Sequence, residues 1–319
     1  MMYAYALGGL VLLFGGAEWL VRGALAVARR FKISPLLIGM TVVAFCTSAP
    51  EMVVSLGAAI EGRSDIAIGN IVGSNTFNIL GVLGAAALIA PMAVKPRELR
   101  RDTATMIAAA LALTIMAQFG TLTRFMGLLL FTGIVAYVWL SYRYERRNPT
   151  SPSADLHSEE AEEIPSPKSL WVGIGLVSAG LACLVVGSRL LIVGATDIAL
   201  TLGISEAVIG LTLVAIGTSL PELATSIVAA FRRHSDVAVG NVVGSNIFNI
   251  LGILGISSLV RPIDVAAQMA RVDVWVMLAV TVGLAPFLLI RGRIGRITGV
   301  AFLTIYVAYA VLLFNGSLV

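Results

Sequence analysis

Two glutamates stand where a charge is expensive. Glu51 lies in "CTSAPEMVVS" and Glu222 in "GTSLPELATS", each inside a long apolar stretch. A carboxylate at membrane depth is tolerated when it is paired or coordinated, so both are candidate ion ligands. Each follows a proline, Pro50 or Pro221. Proline lacks an N–H and disfavours α geometry in the residue before it, so each helix should break there. The break is expected to free carbonyls near Ala44, Thr47, Ala215 and Thr218. Such carbonyls survive at depth where they line protein or a cavity, and they suit hard cations. Thr47 and Ser48, like Thr218 and Ser219, stand four and three residues before the glutamates. That spacing puts hydroxyls and carboxylate on one helical face.

A second motif is "GNIVGSNTFN", with its copy "GNVVGSNIFN". Asn70, Ser74 and Asn78 recur every four residues, as do Asn241, Ser245 and Asn249. Each set makes a polar stripe, and Gly73 and Gly244 let neighbouring helices approach. Asn70, Asn75, Asn241 and Asn246 serve interhelical hydrogen bonding as well as they would serve an ion. Ser74, Asn78, Ser245 and Asn249 lean toward the ion. The whole set is oxygen. Calcium takes about 6–8 such ligands in irregular geometry, and sodium suits oxygen-rich pockets at unwound helices. Apart from the poorly placed Cys46 there is no His or Cys, which disfavours zinc and copper. Two carboxylates balance one Ca²⁺ or two protons, and competition for one charged pocket is a physical basis for exchange. No nucleophile–base or metal-hydrolase arrangement accompanies them, so an intramembrane enzyme is the weakest reading. An ion channel through the same cavity is a separate class.

These residues need a membrane scaffold, and the composition supplies it. The chain has 319 residues, 58% hydrophobic and 13% charged, with mean hydropathy +0.94. Soluble domains carry about 25% charge. A disordered chain, a disulfide-rich secreted domain and a nucleic-acid binder are excluded. The N-terminus lacks the basic segment of a cleavable signal. Ten stretches have the length to cross a bilayer, near 3–27, 35–60, 67–90, 101–119, 122–142, 170–195, 206–230, 238–260, 272–290 and 296–315. Ten crossings sort the connections into two sets. One holds 16 Lys and Arg: Arg29, Arg30, Lys32, Lys95, Arg97, Arg100, Arg101, Arg143, Arg146, Arg147, Lys168, Arg232, Arg233, Arg291, Arg293 and Arg296. The other holds four, Arg63, Arg124, Arg261 and Arg271. The positive-inside rule places the first set in the cytoplasm and both termini outside.

The chain is also two copies of one unit. Residues 33–84 align without a gap on 204–255, at an offset of 204 − 33 = 171, with 30 of 52 positions identical. Gly16 and Gly23 match Gly187 and Gly194 upstream. The organisation reads as a first five-helix repeat at 1–142, a Pro-, Ser- and Glu-rich cytoplasmic linker at 143–169, and a second five-helix repeat at 170–319. Five is odd, so the second copy enters from the opposite side. Inverted repeats of this kind place transport sites near the membrane midplane.

Other polar residues read more plainly. Glu159, Glu160, Glu162 and Glu163 are solvated linker charge, and His157 and His234 are loop residues. Cys46 and Cys183 pack as small hydrophobes. Asp65 and Asp236 favour helix capping. Glu18 maps onto Arg189, so a salt bridge between the first and sixth spans competes with snorkelling of Arg22 and Arg189.

The paired "TSxPE" and "GSNxFN" segments resemble the cation/Ca²⁺ exchanger superfamily, in its sodium/calcium exchanger branch and its compact prokaryotic members. The resemblance spans all ten stretches. It implies an all-α fold of ten helices in two inverted repeats, with the second and seventh helices broken and the first and sixth sliding across the core. It implies electrogenic exchange of Ca²⁺ for Na⁺ by alternating access in a bacterial inner membrane. No cofactor, nucleic acid or obligate protein partner is implied beyond Ca²⁺, Na⁺ or H⁺ and lipid. The family's ligands fall on Ala44, Thr47, Ser48, Glu51, Ser74 and Asn78, and on Ala215, Thr218, Ser219, Glu222, Ser245 and Asn249. Some relatives carry Asp at the position of Asn249, which leaves coupling ratio, potassium dependence and proton coupling open. Ca²⁺/H⁺ exchange is the runner-up.

Overall fold

The computed structural model describes residues 2–31, 38–147, 169–201 and 215–314. Within them the chain is helical, as lipid demands of a backbone that must satisfy its own polar groups. The first half comprises α1 (Met2–Phe31), α2 (Gly39–Thr47), α3 (Ala49–Glu61), α4 (Ser64–Ile89), α5 (Pro96–Ala117) and α6 (Arg124–Arg147). The second comprises α7 (Leu170–Thr201), α8 (Ala215–Thr218), α9 (Leu220–Phe231), α10 (Ser235–Val260), α11 (Met269–Arg291) and α12 (Arg296–Phe314). Seven of the described helices are long and apolar enough to cross alone, and α2 with α3 makes an eighth span bent by 55°. α5, charged in its first turns, and α8 with α9 complete the ten. The linker's acidic cluster, His157 and Lys168 lie outside the described residues, as does the start of the seventh span.

Four short strands confirm the alternation of faces. β1 (Met92–Ala93) pairs antiparallel with β4 (Arg293–Ile294), and β2 (Thr121–Leu122) with β3 (Ile263–Asp264). Paired strands must share a face. The connections after α4 and α11 therefore lie together, as do those after α5 and α10, which is the sorting the basic residues require. The strands obey the repeat offset, since Met92 maps onto Ile263 (92 + 171 = 263).

The core lies between α4 and α10. The central stretch of α4 is 83% buried and that of α10 is 94%, against 11% for α12. α1 and α7 pack on each other through Gly9, Gly16 and Gly23 against Gly173, Gly180, Gly187 and Gly194. A Cβ on Gly180 would lie 2.7 Å from the Gly16 carbonyl oxygen, and one on Gly16 would lie 2.9 Å from that of Gly180. Only glycine allows backbones this close.

One expectation changes here. Glu18 is held by Arg22 at 2.6 Å and by Arg232 at 2.7 Å, not by Arg189. Asp65 and Asp236 sit in the first turns of α4 and α10, where a negative charge meets the positive helix end.

Candidate ion-binding site

Both helix breaks are present, and each leaves one serine between two helices. Ser48 (φ −80°, ψ 9°) separates α2 from α3, and Ser219 (φ −88°, ψ 9°) separates α8 from α9. Pro50 and Pro221 stand in the first turn of the following helix, where a missing N–H costs little. Glu51 and Glu222 follow them in that same turn, at the positive helix end. Both are fully buried.

The carbonyls differ from expectation. A proline withdraws the donor from the residue four before it, which is Cys46 or Gly217 rather than Ala44 or Ala215. Ala44's carbonyl accepts the Ser48 amide at 3.0 Å, and the Thr47 hydroxyl lies 3.3 Å from it. In the second half the Ser219 amide turns to Ile216 at 3.1 Å. Gly217's carbonyl accepts the Ser188 hydroxyl of α7 at 2.6 Å.

The serines serve the opposite repeat. Ser48 Oγ donates to Glu222 Oε1 at 2.8 Å, and Ser219 Oγ donates to Glu51 Oε1 at 2.9 Å. Ser245 Oγ approaches Glu222 Oε1 at 3.4 Å. The threonines cross over too, Thr47 Oγ1 to Asn241 Oδ1 at 3.1 Å and Thr218 Oγ1 to Asn70 Oδ1 at 3.2 Å. Hydroxyl and carboxylate of one TSxPE segment thus do not form one wall. Each carboxylate is completed across the pseudo-two-fold.

The asparagines divide into two groups. Asn70 Nδ2 donates to Ser55 Oγ at 2.9 Å and the Glu51 carbonyl at 3.3 Å, bracing α3 on α4. Asn241 repeats this with Ser226 at 3.1 Å and Glu222 at 3.4 Å. Asn78 Nδ2 donates to Asn246 Oδ1, and Asn249 Nδ2 donates to Asn75 Oδ1, both at 3.1 Å. Asn246 Nδ2 in turn reaches the Asn75 carbonyl at 3.2 Å, and Asn75 Nδ2 reaches the Asn246 carbonyl at 3.5 Å. These bonds use the NH₂ ends of Asn78 and Asn249 and leave their oxygens open. Asn78 opens a π-helical segment, Asn78–Val82, and Asn249 lies in another, Phe248–Leu254. Such widened turns often mark functional sites.

The buried atoms without a hydrogen-bond partner include Glu51 Oε2, Glu222 Oε2, Asn78 Oδ1, Asn249 Oδ1 and Ser74 Oγ. Buried oxygens are normally satisfied, so a cluster of open ones asks for a ligand. Open oxygens of this kind suit a cation. No group of three or more His, Cys, Asp or Glu able to hold a metal occurs among the described residues. Two carboxylates with neutral oxygens suit a hard cation that must leave again.

The sodium/calcium exchanger protein model matches residues 1–143 and 172–315, one stretch in each half. The chain belongs to the sodium/calcium exchanger family. It is a secondary antiporter of Ca²⁺ and Na⁺ and not an enzyme. Relatives align along most of its length. CaxA of Alkalimonas amylolytica is 41% identical over 98% of both chains. The inner membrane protein YrbG of Escherichia coli (strain K12) is 36% identical over 86% of this chain and 84% of its own. The sodium/calcium exchanger MaX1 of Methanosarcina acetivorans is 33% identical over 96% of both. The solved structure of the sodium-calcium exchanger NCX_Mj soaked with 10 mM Na⁺ and 10 mM Sr²⁺ superposes with a TM-score of 0.82, at 33% identity over 97% of both chains.

Sequence reasoning left Asn75 and Asn246 undecided between packing and ion binding. In this exchanger they do neither alone: they turn two neighbouring amides. The signal was present, because each stands three residues before the open asparagine of its own repeat, Asn75 before Asn78 and Asn246 before Asn249. Spacing could not say which repeat it serves.

Proposed function

We propose that this exchanger carries Ca²⁺ between Glu51 and Glu222, in a pocket completed by Thr47, Ser48, Ser74, Asn78, Thr218, Ser219, Ser245 and Asn249. The observation that carries this reading is the set of open buried oxygens on both sides of the pseudo-two-fold. Of the two alanine carbonyls, Ala215's is the better backbone ligand, since Ala44's already accepts the Ser48 amide. Na⁺ competes for the same oxygens. An empty pocket holds two buried negative charges and resists closure, whereas a filled one is near neutral and passes through the occluded state. The two repeats, 1–142 and 170–319, act as the opposed units of alternating access. The basic residues support both termini on the periplasmic side, and the inner membrane protein YrbG, as a relative, supports an inner-membrane placement. A reporter active only in the cytoplasm, fused after Val319, should stay silent.

The test is ⁴⁵Ca²⁺ uptake into proteoliposomes loaded with Na⁺, against vesicles with equal Na⁺ on both sides. Uptake driven by outward Na⁺ and lost in Glu51→Ala is expected. Uptake by folded protein driven only by a pH gradient overturns Na⁺ coupling. That second reading is favoured by the pocket's having amides at both Asn78 and Asn249, so that two protons would match one Ca²⁺.

A further inference from the structure

Glu18 and Arg232 tie the α1–α7 pair to the core. Arg232, just past α9, reaches the Glu18 carboxylate of α1 with Nη2 at 2.7 Å and Nε at 3.2 Å. The repeat offset takes Glu18 to Arg189 (18 + 171 = 189) and Arg232 to Glu61 (232 − 171 = 61). An acid on α1 and a base past α9 become a base on α7 and an acid at the end of α3. Both signs reverse together, so the second couple is still complementary. Reversal of one sign alone would have left like charges opposed.

The second couple is open. Glu61 pairs with Arg63 at 3.3 Å, their side chains 62% and 61% exposed, and among the described residues no bridge joins it to Arg189. Five crossings separate the α3–α4 and α9–α10 connections, so the two couples lie on opposite faces. Each acid also keeps a local arginine: Arg22 holds Glu18 and Arg63 holds Glu61. Neither carboxylate is stranded when its distant partner leaves.

α1 and α7 meet backbone to backbone at their glycines and therefore shift as one body. A shift that pulls Glu18 from Arg232 carries Arg189 with it. It also carries Ser188, whose hydroxyl holds the Gly217 carbonyl at the helix break. The outer pair is thus connected to the wall of the ion pocket.

We propose that Glu18–Arg232 and Arg189–Glu61 are alternate latches, one closed in each of the two access states. The proposal rests on the alternating-access reading above. Cysteine pairs at 18 and 232, and at 61 and 189, are placed in a chain carrying Cys46→Ala and Cys183→Ala whose exchange is first verified. The 18–232 and 61–189 cross-links should form under opposite ionic conditions, and each should stop exchange until reduced. Failure of the 61–189 pair to cross-link in Na⁺, in Ca²⁺ and without either, while 18–232 does, overturns the proposal. So does closure of both pairs in one molecule. Independently of cysteines, Glu18→Gln and Glu61→Gln in the otherwise unaltered protein should shift the ratio of Ca²⁺ half-saturation at the two faces in opposite directions. The shift should be about two- to five-fold, the reach of a solvent-accessible ion pair. Shifts in one direction, or none, overturn it. Lack of Na⁺-driven uptake by the unmodified protein in the same vesicles overturns antiport instead.

Discussion

The α4–α10 pair and the α1–α7 pair are built from similarly apolar helices and do opposite things. α4 and α10 are buried on nearly every side, and polar atoms fill their contact: four asparagines hydrogen-bond in a chain, with Asn75 and Asn246 bonded to each other at its centre and Asn78 and Asn249 at its ends. The central stretch of α1 is half buried and that of α7 only 22%. Their contact is glycine against backbone, with few directional bonds to the core. Directional bonds fix geometry, which an ion site needs. Smooth backbone contact with few bonds outward permits a shift of the pair, which alternating access needs.

The largest effect should come from the core. Glu51→Ala or Glu222→Ala should lower Na⁺-driven Ca²⁺ uptake by at least about 100-fold, the scale at which a ligand's loss removes the site, while the protein elutes as a folded species. Normal uptake by either variant would detach the carboxylates from transport. The same variants should lose stabilisation by Ca²⁺, which for a single site at 100 times Kd amounts to about 2.7 kcal/mol; a melting series with and without Ca²⁺ measures it.

Next comes the orienting shell. Asn246→Ala frees the Asn78 amide to turn its NH₂ toward the ion, and should weaken Ca²⁺ affinity by about ten-fold or more. Asp has two equivalent oxygens, so Asn246→Ala should cost little further in an Asn78→Asp background. Equal losses in both backgrounds would make Asn246 a packing residue only.

The outer pair should respond differently. Gly180→Ala sets a methyl against the Gly16 carbonyl and the Leu20 amide nitrogen, each 2.7 Å from its Cβ position. Overpacking of this kind costs about 1–3 kcal/mol. Turnover should fall while Ca²⁺ half-saturation stays, and a change confined to half-saturation would break the division between the two regions. The smallest effect is at the α9 terminus. Arg233 has φ 61°, where its repeat mate Gly62 has φ 80°. Arg233→Gly should stabilise the fold by about 1 kcal/mol by relieving left-handed strain, with exchange unchanged; thermal unfolding reports it.

Much of this was legible in one dimension. Apolar runs set the spans, the uneven split of basic residues, 16 against four, set the alternation, and the 171-residue offset set the inverted halves. Glu51 and Glu222 declared themselves by cost, because a carboxylate in a membrane span needs a partner. Pro50 and Pro221 marked the breaks because proline's missing N–H is a local, covalent fact. What periodicity could not supply was who meets whom. Ser48 reads as a neighbour of Glu51, yet a ψ near 9° turns it to Glu222, 174 residues away. Asn75 and Asn246 look like Asn78 and Asn249 in sequence, and only the crossing of α4 and α10 separates orienting amides from open ones. Glu18 maps by repeat onto Arg189 but lies against Arg232, because the pseudo-two-fold relates equivalent positions without placing them in contact. Local chemistry decided which residues must be satisfied, and tertiary packing decided by what, since partners from different repeats share a distance only once the helices are assembled.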